Sequence, residues 1–160
     1  ELAFLEDQIS RAHLKKIKLG MIRSHTKGIY KEDDHSEPVI DHKAINLLAA
    51  RIDEKAKLKS YGFARLYSQV LREYFGGMKT HFSSLIKQLK PGAPCAYVVG
   101  DQASYFQVHI PTAELLADIA KDVGFEIVKI DHWRSRRPSG SNVMIDENIL
   151  IMRAPGKSHA

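Results

Sequence analysis

The sequence is short of the features that mark several large classes of protein. It has a single cysteine, Cys95, in 160 residues, so no intramolecular disulfide framework holds it together and an intracellular setting is expected. No apolar run approaches the roughly 18 residues of a bilayer-spanning helix. The opening residues, Glu1 to Asp7, are too acidic and too short in apolar run for a secretory signal. The expectation is a soluble, cytoplasmic protein that does not enter a membrane. The chain starts with Glu rather than Met, which implies either processing or a piece of something longer. Gly-x-Gly-x-x-Gly, Gly-x-x-x-x-Gly-Lys and His-Glu-x-x-His are all missing, and with them three common signatures of nucleotide and zinc chemistry. There is no internal repeat and no low-complexity tract.

What is present suits one domain with one core: 160 residues, 44% of them hydrophobic. The net charge is +5, and the basic residues cluster at Lys15, Lys16 and Lys18, from Lys55 to Lys59, and at Arg134, Arg136 and Arg137. Such clusters attract phosphate backbones and release counterions. They also serve simply to keep a domain in solution, and charge alone leaves both readings open.

Apolar spacings of three and four predict a helix over 2–22, carried by Leu2, Leu5, Ile9 and Ala12 and then by Leu14, Ile17 and Met21. Residues 23–37 are polar and aperiodic, which predicts a surface loop. Asp33, Asp34, His35, Asp41 and His42 lie near one another there, but at no regular ligand spacing, so no metal site is expected. Pro38 is expected to open a second helix running to about Lys57, with Ile40, Ala44, Leu47, Leu48 and Ile52 on its apolar face. A third helical stripe joins Leu66, Val70, Tyr74, Met78, Phe82, Leu85 and Leu89. Gly76-Gly77 in its middle implies a kink, a break or a close approach.

The stretch from Leu89 to Asp101 reads differently. Cys95 to Val99 is an unbroken apolar run between Pro91-Gly92 and Gly100-Asp101, the pattern of a strand buried on both faces, as in a mostly parallel sheet. Ligands of such sheets gather at strand carboxyl ends, which singles out Gly100, Asp101 and Gln102, although Gly100-Asp101 equally serves as a turn. Cys95, at the start of this strand, is expected to be a packing thiol. Tyr105 and Phe106 follow in a loop, suited to stacking on a base or to ordinary packing. A helix begins at Pro111-Thr112, with Thr112 as its cap, and ends at Gly124. Strands are expected over 125–133 and 148–153, with a polar loop over 134–147 and a frayed tail from Ala154.

Taken together, Tyr74-Phe-Gly-Gly-Met78, Leu89-Lys-Pro-Gly92, Tyr97-Val-Val-Gly-Asp101, the helix from Ile110-Pro-Thr to Gly124-Phe125, and Glu147 to Arg153 resemble the carboxyl-terminal half of class I S-adenosylmethionine-dependent methyltransferases. The nearer likeness is to the amino-group DNA methyltransferases that modify adenine N6 or cytosine N4. The resemblance covers about residues 61–153; residues 1–60 are more weakly similar to a helical insert of some of these enzymes. It implies an α/β, partial Rossmann-like fold of about three strands, the last pair antiparallel, with about four helices. As domains, it implies a helical segment over 1–60, a methyltransferase-like half over 61–153 and a flexible tail over 154–160.

The family's glycine-rich cofactor turn and its Pro-Pro catalytic motif are both absent from the sequence. The resemblance therefore implies no catalytic and no cofactor-binding residues here. S-adenosylmethionine would be the cofactor of the complete enzyme, with none expected for this chain alone. Positioning supplies most of the rate in methyl transfer, so the isolated chain is expected to be inactive. Gly100, Asp101 and Gln102 would face a substrate cleft, and Arg134, Arg136 and Arg137, then Lys15, Lys16 and Lys18, would contact nucleic acid, DNA above all. Three explanations stand: a fragment or split half of a methyltransferase, an inactive remnant that keeps a nucleic-acid surface, or an unrelated small α/β binding or structural module. A sheet of three strands leaves an edge that a second chain or a second copy would cover.

Overall fold

Three strands form one sheet: β1 (Pro94–Gly100), β2 (Glu126–Arg136) and β3 (Ile145–Arg153). Their order is β1-β3-β2, and both neighbouring pairs are antiparallel. The last strand thus returns between the first two. The computed structural model describes residues 10–29, 33–58, 62–103, 105–137 and 144–156. Leu2, Leu5 and Ile9 of the first expected helix, Lys59, and Pro138, Gly140 and Ser141 of the expected loop lie outside the described residues.

Four helices accompany the sheet: α1 (Arg11–Leu19), α2 (Lys43–Ala56), α3 (Tyr67–Leu85) and α4 (Thr112–Val123). The mixed α/β class, three strands and four helices expected from the sequence are all found among the described residues. None of the helices described is long and apolar enough to cross a membrane.

Direct cross-strand partners share a face. Cys95, Met152 and Ile127 make one row, and Tyr97, Leu150 and Ile130 the next. These rows face α3 and α4, whose Phe75, Phe82, Leu116 and Ile119 are buried against them. Phe82 meets Tyr97 edge-on at 5.3 Å between ring centres and Phe125 at 6.0 Å. The opposite face carries Ala96, Val98, Ile149 and Ile151, with no helix over it among the described residues, and Val98 is 59% exposed. β1 is therefore not buried on both faces, nor in a parallel pairing. Its apolar run hides an alternation in which every second side chain faces outward.

Strand β2 slips register by one residue at Val128 and again at Trp133. Each slip is a bulge, an extra residue opposite one on the partner. The strand also runs on through Arg136, and β3 starts at Ile145, so the two ends of the expected polar loop over 134–147, Arg134 to Arg136 and Ile145 to Glu147, are paired sheet. Ala154, assigned to a frayed tail, is buried and its N–H donates to the Ala93 carbonyl at 2.9 Å.

The second helix also departs from its expected course. Pro38 lies in a single 3-10 turn (Glu37–Val39), and α2 begins at Lys43, where the His42 ring accepts the Ile45 N–H at 3.4 Å. Its buried face is Ile45, Leu48, Ala49 and Ile52, while Ile40 and Leu47 are exposed. Alanines on both sides of the helix made two neighbouring stripes equally apolar.

The described parts of the expected surface loop, Arg23 to Ile29 and Asp33 to Glu37, are anchored to the helices rather than wholly solvated. Arg23 is buried, and its guanidinium donates to the carbonyls of Lys18, Leu19 and Met21 at the end of α1. The same group forms a two-pronged pair with buried Asp33, at 2.7 and 3.0 Å. Positive charge at a helix carboxyl end is favourable, and the carboxylate balances the buried cation. The segment then crosses α3 at Gly76, where an added Cβ would stand 1.6 Å from the His35 carbonyl oxygen. A close approach, then, is what the paired glycines serve.

Beneath that crossing Glu73 is 1% exposed, and its Oε2 has no hydrogen-bond partner among the described residues. Burial, and then the negative charge of Asp33, push its carboxyl above the ordinary range, against the opposing pull of His35.

Two outcomes follow from this packing. Gly76→Ala should lower stability by about 2–3 kcal/mol in urea unfolding, because backbone must move, despite alanine's better helix propensity. Gly77→Ala meets only the Ile22 side chain, at 3.1 Å, and should stay within about 1 kcal/mol of wild type. For Glu73 the native state holds its proton to higher pH than the unfolded chain does. Stability should therefore fall as pH rises from the ordinary carboxyl value through the raised one. Glu73→Gln should abolish that slope and be the more stable protein above the window; an unchanged slope would count against the assignment.

Candidate functional site

Past Gly100 the chain turns into a loop that returns to the sheet before α4. Gln102 and Ile110 close it with two backbone bonds, 3.2 and 2.8 Å. Phe106 and Gln107 at its tip take left-handed conformations, φ 56° and 58°. Side chains rarely adopt this region, so surrounding contacts must hold it. They are visible: Tyr105 stacks on Tyr67 at 4.7 Å, Phe106 lies 5.5 Å from the same ring, and Lys55 Nζ donates to the Phe106 carbonyl at 2.9 Å. The two loop aromatics thus pack on α3.

A cavity of about 350 Å³ opens at the carboxyl end of β1, lined by Tyr74 and Phe75 of α3, Tyr105, Gly100, Gln102, Ser24 and Thr112. Val98 and Val99 both line it although they point to opposite faces, so the cavity wraps around the free edge of β1. Its size falls in the roughly 300–1,000 Å³ range of small-molecule sites. Burial pushes the Tyr74 and Tyr105 hydroxyls up, so both remain protonated and available as donors.

The three residues singled out at this strand end have different fates. Gly100 and Gln102 line the cavity. Asp101 is buried; its Oδ1 accepts the Thr112 N–H at 3.0 Å and its Oδ2 lies 2.8 Å from His109 Nε2. Its carboxylate caps α4, the role the sequence had suggested for Thr112. Cys95 lies half-buried with its thiol pushed up by burial, as suits a packing residue.

The basic candidates also divide. Lys15, Lys16 and Lys18 are exposed on α1. Arg134 and Arg136 lie at the end of β2, each donating its Nε to one oxygen of Glu147, at 2.6 and 2.5 Å. Arg137 follows, exposed. Those two hydrogen bonds, Arg134's first, hold the Glu147 carboxyl below the ordinary range. The Arg134 guanidinium also stands 4.4 Å over the ring of Trp133, which is 52% exposed. Next to this group, Asp146 accepts from Ser135 at 2.5 Å and lies 3.4 Å from His132.

Glu147, Trp133, Ser24 and Tyr74 were not singled out by sequence reasoning as site residues. For Glu147 a signal existed, an acid beginning an apolar run opposite an Arg-x-Arg pair, but it needs the strand register to be seen. Ser24 reaches the cavity only because the chain beside it docks on α3, where Ile22 meets Gly77.

The S-adenosylmethionine implied by the resemblance does not fit this cavity alone. Among the described residues no carboxylate lines it, so the acidic partner that grips a cofactor's ribose hydroxyls has no counterpart there. No group of three or more potential metal ligands occurs among the described residues either. No family model matches the chain, and neither a curated protein nor a solved structure is significantly similar to it.

Removing the cap is a direct test of Asp101. Asp101→Ala should cost about 1–2 kcal/mol in denaturant unfolding, and Asp101→Asn, which retains an acceptor for Thr112, distinctly less. Equal losses for the two would show that the α4 cap is not what Asp101 supplies.

Proposed function

We propose that this chain forms the carboxyl-terminal half of an S-adenosylmethionine-dependent, amino-group DNA methyltransferase. In this reading the strands that carry the cofactor and the catalytic motif come from polypeptide outside these 160 residues, as further sequence or as a second chain. The observation that carries the reading is the strand order β1-β3-β2. A helix ends ahead of Leu89-Lys-Pro-Gly92 and leads into β1. Another ends at Gly124-Phe125 and leads into β2, and the final strand inserts antiparallel between β1 and β2. That is the succession the resemblance implies for this half of the fold. In this reading the remaining strands would join at the free edge of β1, beside the cavity wrapped around it.

The cofactor would supply an electrophilic methyl group, with the target amine as nucleophile. The residues described here would contribute one wall of the cleft: Tyr74, Phe75 and Tyr105 exclude water from it, and Arg134, Arg136 and Arg137 hold the nucleic-acid backbone. A second reading, nucleic-acid binding without methyl transfer, is favoured by the arginines aligned on Glu147.

Calorimetry with S-adenosylmethionine should show no binding by the isolated chain; binding would overturn the division into halves. Affinity purification of the tagged chain from its own cells should recover a complex that transfers labelled methyl to duplex DNA. Val98→Lys, which places a charge on the open edge, should prevent that complex while leaving the fold intact by circular dichroism. Replacing Arg134, Arg136 and Arg137 together with Ala should weaken DNA binding regardless of sequence. In a gel-shift series the slope of log K against log salt should fall by about 2–3; an unchanged slope would remove the arginines from the interface.

A further inference from the structure

Glu147 occupies a particular place in the sheet. Across one pairing it faces Gly100, across the other Arg134. Its carboxylate is mostly covered, with the side chain 14% exposed, while the Arg134 and Arg136 side chains that it binds are 57% and 44% exposed. Both hydrogen bonds use Nε, on the inner side of each guanidinium. The terminal nitrogens of both forks are left without a hydrogen bond among the described residues. One carboxylate therefore holds two guanidiniums in place and leaves a net positive charge, to which exposed Arg137 adds. The Trp133 ring beneath Arg134 fixes the plane of one fork. Fixed planar forks suit the tetrahedral array of oxygens on a phosphate.

This pair also borders the cavity. A terminal nitrogen of Arg136 is 4.0 Å from where a Cβ would stand on Gly100, and Gly100 lines the cavity wall. Beyond Gly100 lie Tyr74, Phe75 and Tyr105, with Gln102, Ser24 and Thr112 as polar lining.

We infer that cavity and arginine pair form one composite site for a nucleotide, with the planar base in the aromatic-lined cavity and the phosphate on Arg134 and Arg136. Glu147 is a positioning residue: it touches no ligand and aims the two forks. An acidic peptide would satisfy the arginines but give the aromatic cavity no planar group, whereas a nucleoside without phosphate would leave the forks idle. The same chemistry is presented by a free mononucleotide and by a nucleotide within a single strand. The inference extends the nucleic-acid part of the proposed function and stands without the methyl-transfer part.

Trp133 is the only tryptophan in the sequence, so its fluorescence reports on Arg134 directly. The full chain is titrated with deoxyadenosine monophosphate, deoxyadenosine and inorganic phosphate, followed by fluorescence and calorimetry. The monophosphate should bind about tenfold more tightly than either part, and Arg136→Ala should abolish that preference. Glu147→Gln gives the decisive comparison. If charge alone mattered, removing an anion would strengthen phosphate binding; positioning requires that it weaken, by about threefold or more. Asp146→Asn removes a neighbouring carboxylate that holds neither arginine, and should strengthen binding. Gly100→Ala, whose added Cβ makes only ordinary contacts, tests the junction in a chain that still folds, and should reduce monophosphate affinity more than nucleoside affinity.

A single-stranded oligonucleotide that displaces the monophosphate assigns the site to strands; failure to displace it assigns the site to free nucleotides. Equal affinity for nucleoside and monophosphate, no binding at about 5 mM, or tighter binding by Glu147→Gln would overturn the inference. These results are independent of whether methyl transfer is ever reconstituted.

Discussion

Phe82 lies where the layers meet. Fully buried on α3, it touches Tyr97 of β1 and Phe125 just ahead of β2, so one ring binds the long helix to both strands that flank β3. Aromatic side chains bury more area than any others, and edge-on contacts add to that. Around this point α3 and α4 collect on one side of the sheet, with α2 packed on α3. The other side keeps Ala96, Val98, Ile149 and Ile151 without a helical cover among the described residues. The open edge of β1 and the cavity that wraps it are consequences of the same one-sidedness.

Much of the framework was legible because it depends on local pattern. The α3 stripe, the Gly124 stop of α4 in its left-handed conformation, and the three strand segments all announce themselves through periodicity and punctuation. The errors have a common physical origin. A run such as Cys95 to Val99 is apolar at every position, so sequence carries no information about which side chains find cover. In α2, alanines blur the edges of the apolar stripe, so the expected face includes exposed Ala44 and Leu47 and omits buried Ile45 and Ala49. Residues 23–37 read as a surface loop because they are polar, but two of their charged groups, Arg23 and Asp33, satisfy each other rather than water. Such pairing joins residues ten apart and has no periodic signature.

The candidate site was legible in part for similar reasons. A strand end followed by Gly-Asp pointed to the right place, and the cavity is there. Which of its residues faces the cavity depends on tertiary geometry: Asp101 turns toward the start of α4, and Gly100 and Gln102 line the opening. The arginines were visible as charge. Their alignment was not, since Glu147 lies eleven residues from Arg136 and meets it only through the β2–β3 register.

That register is set by the bulges of β2. Between Ile127 and Ile130 the apolar spacing is three, which a regular strand would not permit on one face; the extra residue at Val128 puts both on the face of Met152 and Leu150, with Ile130 at its exposed margin. At Trp133 the second extra residue does the reverse for charge. His132 shares a row with Asn148 and Val99 on the helix-covered side, and two positions later a regular strand would return Arg134 to that side. The bulge shifts the frame by one, so Arg134 and Arg136 emerge on the face of Glu147 and Gly100. The orientation of the basic pair is therefore encoded as a count. One residue more or fewer between His132 and Arg134 would leave every arginine in the sequence and turn the pair to the wrong side of the sheet.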